Sequence, residues 1–114
     1  PLKQDRKDRI FQSFIFSLSQ NFRTHHSVSF YAAEQCLTPR YFSTIVREKS
    51  GRNALQWIMM FIIAEAKKLL SDPDPSIKEI AETLGFSNQS FFGRYFKQYV
   101  GLSPMAFRSS GAEE

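Results

Sequence analysis

One cysteine, two histidines, one tryptophan and five glycines are all that this 114-residue chain holds of the residues that most often staple, ligate or cradle. A single cysteine, Cys36, excludes an internal disulfide framework and suits a reducing, cytoplasmic compartment. His25-His26 is the one pair that suggests a metal. Adjacent residues point differently on any regular element, and Cys36 adds too few soft ligands, so neither metal nor cofactor is expected. The glycines are scattered as helix stops and turns, which leaves no glycine-rich phosphate loop. The longest apolar run, Trp57 to Ala64, has eight residues, against the roughly 20 needed to cross a bilayer. At the start, Asp5, Arg6, Lys7, Asp8 and Arg9 lead into a periodic segment without the layout of a signal peptide. No segment alternates with period two, and no element would assemble a Ser/His/acid triad. The expectation is a binding module rather than an enzyme.

What is present is aromatic and helical. The chain is 42% hydrophobic and 15% aromatic, with 12 Phe, which excludes a disordered chain. Its length fits one compact domain or two very small subdomains sharing an element. The net charge of +4 permits an anionic partner without requiring one. Two of the acids, Glu113 and Glu114, stand at the very end, an acidic tail over 109–114. The chain begins at Pro1 without Met, as an excised piece of something longer would.

Helical spacing of Ile10, Phe11, Phe14, Ile15, Leu18 and Phe22 predicts a first amphipathic helix over about 6–22, packed on the helices after it. Ser27 caps a short helix whose apolar face is Val28, Tyr31 and Ala32. Thr38-Pro39 restarts a helix that runs to about Ser50 and stops at Gly51. Asn53 with Gln56 opens a long helix ending near Leu70 or Ser71, before Asp72-Pro73-Asp74-Pro75. Ser76 with Glu79 opens another, broken at Gly85; Ser87 is the expected cap of the next, which ends at Gly101. Ser103-Pro104 begins a last short helix ending near Arg108. The chain reads as all-α, with about seven helices.

Residues 27–57 resemble residues 76–107. At an offset of 49, Ser27 falls on Ser76, Tyr31 on Ile80, Ala32 on Ala81, Leu37 on Phe86 and Thr38 on Ser87. At an offset of 50, Tyr41 falls on Phe91, Phe42 on Phe92, Val46 on Phe96, Gly51 on Gly101 and Trp57 on Phe107. Each unit is a short helix, a tight turn, a second helix and a terminating glycine, the outline of a helix-turn-helix. Two merely packed helical hairpins would look similar, but the charges are sorted. Residues 39–52 carry Arg40, Arg47, Lys49 and Arg52 against Glu48 alone, and residues 87–108 carry Arg94, Lys97 and Arg108 with no acid. Each segment is thus +3 and the remainder of the chain −2. The positive charge lies on the second helix of each unit, where a helix-turn-helix puts its recognition helix.

The run Ser76-Ile77-Lys78-Glu79-Ile80-Ala81, then Leu84-Gly85-Phe86-Ser87, Ser90-Phe91-Phe92-Gly93-Arg94-Tyr95-Phe96-Lys97 and Gly101-Leu102-Ser103-Pro104 through Phe107-Arg108 resembles the DNA-binding domain of AraC/XylS-type transcription regulators. The match covers about residues 27–108 and is strongest in the second unit. Two positions differ from many members: Ile62 stands where the linking helix often has Arg, and Cys36 where the first turn often has Gly. The expected place of Cys36 is that of a buried structural thiol.

The resemblance implies two homeodomain-like helix-turn-helix subdomains, at 27–53 and 72–108. A linking helix over 54–71 would join them, and an N-terminal helix within 1–26 would pack on the first. A linker over 54–70 spans roughly 25 Å, the order of length that suits recognition helices in successive major grooves about 34 Å apart. It implies double-stranded DNA as the partner, bacterial transcription regulation as the role, RNA polymerase as a second contact, and an additional N-terminal sensing or dimerising domain in the full-length protein. By that likeness, Arg40, Ser43 and Thr44 in the first unit and Asn88, Gln89, Ser90 and Arg94 in the second reach base edges. There Arg pairs with guanine and Asn or Gln with adenine. Arg47, Lys97, Thr38 and Ser87 face phosphates. The competing reading is a helical protein–protein module, such as a polymerase contact surface, with incidental basic charge.

Overall fold

Every helix starts where a short polar side chain satisfies a backbone amide left orphaned by the first turn. The computed structural model describes residues 5–111, so Glu113 and Glu114 lie outside the described residues. Helix α1 (Arg6–Asn21) opens on Asp5, which forms a capping box with Asp8, and α2 (Val28–Glu34) opens on Ser27. Helix α3 (Pro39–Ser50) opens on Thr38 with Pro39 in its first turn. Helix α4 (Ala54–Ser71) opens on the reciprocal pair Asn53 and Gln56, each accepting from the other's backbone N–H at 2.8 Å. Helix α5 (Ile77–Thr83) has the Ser76–Glu79 box, α6 (Gln89–Val100) opens on Asn88, and α7 (Pro104–Ser110) on Ser103. The described residues contain seven helices and no strand.

Three expectations are corrected. The cap of α6 is Asn88, not Ser87: its Oδ1 accepts from the Phe91 backbone N–H at 2.8 Å. The turn hydrogen bonds match at an offset of 49, Leu37 N–H to the Ala32 carbonyl and Phe86 N–H to the Ala81 carbonyl, both 3.0 Å. The caps Thr38 and Asn88 match at 50, so the extra residue of the second unit is Ser87, held inside the turn. Helix α7, expected to end near Arg108, runs two residues further to Ser110, where Gly111 supplies the left-handed stop. Cys36, finally, is exposed and not a buried thiol. It occupies the left-handed conformation (φ 58°) that Gly85 takes in the other turn (φ 82°). A side chain there projects from the corner of the turn, away from the core.

The chain divides into two compact units, one ending at Phe61 and the other beginning at Ile62, a division that falls inside α4. In the first unit, Phe14 packs edge-on against Tyr31 (5.4 Å between ring centroids) and Phe42 (5.0 Å), with Ile10, Leu18, Ala32, Ile45 and Val46 buried. Each fully buried Phe contributes on the order of 2–3 kcal/mol. Gln35 Nε2 donates to the Ile10 carbonyl at 2.9 Å, and Tyr31 Oη to that of His25 at 2.7 Å. Ion pairs tie the start of α1 to the end of α3: Lys7 with Glu48 at 3.0 Å, and Lys49 with Asp8 at 2.7 Å. In the second unit Phe92 meets Phe86 (5.3 Å) and Phe96 (5.9 Å), and Phe96 meets Phe107 (5.5 Å). Arg108 closes this unit: its Nε donates to the Leu70 carbonyl at 3.1 Å and its Nη2 to that of Asp72 at 2.9 Å.

Helix α4 is buried along one stripe, Ala54, Ile58, Ile62, Ala66 and Leu70, at intervals of four, with Ile63 beside it. Met59, Met60 and Phe61 are half-buried and Leu55 and Ala64 exposed, so the apolar run from Trp57 to Ala64 is not covered on all sides. A chain this short has too little other structure to surround an 18-residue helix. No helix among the described residues is long and apolar enough to cross a membrane.

Candidate nucleic-acid interface

The second helix of each unit buries one face and presents the other. In α3 the buried residues are Phe42, Ile45 and Val46, which at 3.6 residues per turn leaves Arg40, Thr44 and Arg47 along the opposite side. All three are exposed, and Ser43 is half-buried beside them. In α6 the buried residues are Phe92 and Phe96, and the same geometry leaves Ser90, Arg94 and Lys97 outward, again all exposed. The two stripes are equivalent at an offset of 50, Arg40 with Ser90, Thr44 with Arg94 and Arg47 with Lys97. Each therefore carries two polar positions followed by a cation one turn from the helix end.

The first unit gathers its stripe into an open groove of about 340 Å³, lined by Arg40, Ser43, Thr44, Arg47, Asn53 and Leu55. Asn53 and Leu55 are additions that sequence reasoning missed. They come from the start of α4, and no periodicity within α3 could have signalled them. Gln98, one turn beyond Arg94 and exposed, was missed although its spacing from Arg94 does place it on the same face.

Hydrogen bonds narrow what these side chains have left to offer. Thr44 Oγ1 donates to the Arg40 carbonyl at 3.0 Å, leaving its oxygen to accept. Thr38 Oγ1 accepts from the Tyr41 N–H at 3.2 Å. Asn88 commits its amide oxygen to the cap of α6; bidentate pairing with adenine needs that oxygen, so Asn88 retains its amide N–H groups as donors. Gln89 and Ser90 follow it, exposed, while Ser87 sits in the turn before the cap.

The cations divide as sharply. Lys49 is held between Asp8 and Asp5, and its pKa is raised, chiefly by the hydrogen bond to Asp8. Asp5 is correspondingly lowered, first by the Asp8 backbone N–H that it caps. Arg108 is spent on backbone carbonyls, and Arg52 lies 5.8 Å from the centre of the Trp57 ring. Among the described residues no ion pair engages Arg40, Arg47, Arg94 or Lys97. Arg94 lies over the ring of Phe91 at 5.9 Å, and that ring, 48% exposed, leans edge-on against Phe86. On the two helices themselves the basic charge thus reduces to one outward pair per unit, Arg40 with Arg47 and Arg94 with Lys97, with Arg52 exposed just beyond the end of α3. Among the described residues no group of three or more His, Cys, Asp or Glu is placed to hold a metal; His25 instead stacks on Phe30 at 3.7 Å.

Two equivalent pairs of helices, each with a tight turn and an outward polar and basic stripe on its second member, define a tandem helix-turn-helix protein. Residues 31–110 match the family model of a helix-turn-helix domain. The chain is 37% identical over 83 residues to the arabinose operon regulatory protein of Escherichia coli (strain K12), covering 73% of this chain and 28% of that one. With the arabinose operon regulatory protein of Salmonella typhimurium the identity is 34% over 86 residues, 75% of this chain and 31% of that one. The chain therefore spans less than a third of the length of these curated relatives. A solved structure of the DNA-binding domain of AdpA in complex with a target DNA superposes with a TM-score of 0.76 at 25% identity, covering 88% of this chain and 90% of that one. The C-terminal domain of AraT from Geobacillus stearothermophilus superposes with a TM-score of 0.83 at 23% identity, over 93% and 88% of the two chains. The chain belongs to the AraC-type helix-turn-helix family, whose members are DNA-binding transcription regulators and not enzymes.

Proposed function

We propose that this chain is the DNA-binding part of a longer cytoplasmic transcription regulator, and that it reads double-stranded DNA with α3 and α6 as major-groove recognition helices. The observation that carries this is the equivalence of the two outward stripes, Arg40–Thr44–Arg47 and Ser90–Arg94–Lys97, in a chain where Lys49 and Arg108 are committed within the fold. Arg40, Ser43, Thr44, Gln89, Ser90 and Arg94 are the base-reading set, with Asn88 contributing as a donor only. Arg47, Lys97, Thr38 and Ser87 face phosphates, together with the backbone amides at the starts of α3 and α6.

The test is selection of preferred duplexes from a random pool, followed by affinity measurements on selected and random DNA over a range of salt. Arg94→Ala weakens the selected duplex by about 1–3 kcal/mol and relaxes one base position, with little effect on random DNA. Equal loss on both would remove Arg94 from the base-reading set. Affinity falls steeply with salt, and Lys97→Ala reduces the log–log slope by about one. A flat salt response would overturn the phosphate assignment.

A second surface supports contact with protein. From Ile10 to Phe22 there is no charged residue, and Phe16, on the outer side of α1, is 69% exposed. It borders an open depression with Phe11, Gln12, Ile15 and Ser19. An uncharged apolar face is unsuited to DNA and suited to protein. We assign it to the rest of the regulator, a sensing or dimerising domain, with RNA polymerase as the other protein partner of the whole.

A further inference from the structure

Glycine is the poorest residue of a helix interior after proline, because it loses the most backbone freedom on folding. Gly93 nevertheless occupies the fifth position of the 12-residue helix α6. Three requirements explain such a glycine: a positive φ, a neighbour that leaves no room for a Cβ, or a ligand that approaches the backbone. The first fails, since the positive-φ glycines are Gly51, Gly85, Gly101 and Gly111. The second fails too, since a Cβ built on Gly93 meets no atom within 4 Å apart from its chain neighbours and the backbone of its own helix turn. Nothing in the protein itself asks for glycine here.

Its position says what does. Gly93 lies in one i±4 row with Gln89 before it and Lys97 after it, both exposed. That row runs along the flank of the stripe formed by Ser90, Arg94 and Lys97. The equivalent residue of the first unit, Ser43, is small and lines the groove with Arg40, Thr44 and Arg47. A DNA strand whose phosphate is held by Lys97 would cross the row at Gly93, one turn earlier.

We propose that Gly93 is a close-approach residue, at which the sugar-phosphate backbone of bound DNA lies against the bare helix and sets how deeply α6 enters the major groove. The proposal rests on the DNA-binding reading. It makes Gly93 a positioning residue that reads no base: it determines the depth from which Ser90 and Arg94 reach their bases. Its contribution is steric, so it applies to selected and random duplex alike, and it opposes the stability of the free protein.

The experiment compares the parent chain with Gly93→Ala and Gly93→Gln, measuring thermal midpoints and affinities for the duplex the parent selects and for mixed-sequence duplex. Expected is a midpoint for Gly93→Ala at or above that of the parent, since alanine is the better helix former and meets open space. Affinity for both duplexes falls about 5–10-fold with alanine and about 30-fold or more with glutamine. Variants that keep the parent midpoint and bind both duplexes within about twofold of the parent would overturn the proposal. A loss confined to the selected duplex would also overturn it, because the position would then read a base. A midpoint lowered by alanine would overturn it as well, by giving the glycine a role within the fold. A parent chain that binds neither duplex would refute the DNA-binding reading itself, a result distinct from a bound parent with unaffected variants.

Discussion

Cys36 and Gly85 do the same job at the corners of two equivalent turns, and only one of them is chemically suited to it. Both residues sit at positive φ, 58° and 82°, where an L side chain crowds the following carbonyl at a cost of roughly 1–2 kcal/mol. Replacing Cys36 by Gly removes that strain but adds about 0.4–1 kcal/mol of unfolded-state freedom. Cys36→Gly is therefore expected to leave stability unchanged or raise it by up to about 1.6 kcal/mol. Cys36→Val, β-branched at the same φ, is expected to lower it by more than about 1 kcal/mol. Urea midpoints of the two variants check this, and equal midpoints would mean that the turn carries no strain. Residue-scale reading of the sequence identifies the position, through the departure from glycine, but expects a buried thiol. Burial depends on which way a left-handed corner throws its side chain, and the sequence carries no record of φ.

At the scale of elements, the helices follow from caps and periodicity, and so do the faces of α3 and α6. Ser27, Thr38, Asn53, Ser76 and Ser103 all cap where their sequence context places them. The one misplaced cap, Ser87 for Asn88, comes from two adjacent residues of nearly equal capping power. The contacts of Phe86 and Phe92 in the core settle between them, because they fix how many residues the turn holds. Arg108 counts with the outward charges in the sequence, yet its fork of donors closes on the carbonyls of Leu70 and Asp72 and joins the end of α4 to α7. Arg108→Ala is expected to destabilise the second unit by about 1–3 kcal/mol, with the salt slope of DNA binding unchanged. Arg108→Lys should recover less than half of that loss, since a point ammonium cannot span two carbonyls in fork geometry. Hydrogen exchange in α7 and salt titrations separate this from a phosphate contact, which would lower the slope and spare the fold.

Over the whole molecule, each unit carries one tyrosine that burial pushes up to about 12: Tyr31, with Glu34 adding to the effect, and Tyr95, with Tyr99 adding to it. In the unfolded chain both ionise near about 10. Below about pH 10 their contribution to stability is fully present. Between about 10 and 12 the unfolded chain holds fewer protons than the native one, so stability falls as pH rises. Urea midpoints from about pH 7 to 11 should therefore drop above about pH 10. Tyr31→Phe should flatten part of that drop while costing about 1 kcal/mol at neutral pH through the lost hydrogen bond to the His25 carbonyl. A pH profile identical to that of the parent would show that Tyr31 is not held protonated by the fold.

The sequence by itself determined the all-α class, the helix starts and stops, the duplication, and which helices carry the basic residues. Each of these is written in local chemistry: a capping oxygen three residues before an amide, a glycine after a periodic run, apolar side chains every three or four positions. Only the tertiary structure decided which of those basic residues remain outward. Lys49 meets Asp5 and Asp8 from another helix, Arg108 meets carbonyls 36 and 38 residues away, and Asn53 and Leu55 join the groove of α3 from the start of α4. A charge is cancelled or left free by what lies within a few ångströms of it, and that neighbourhood exists only once the chain has folded.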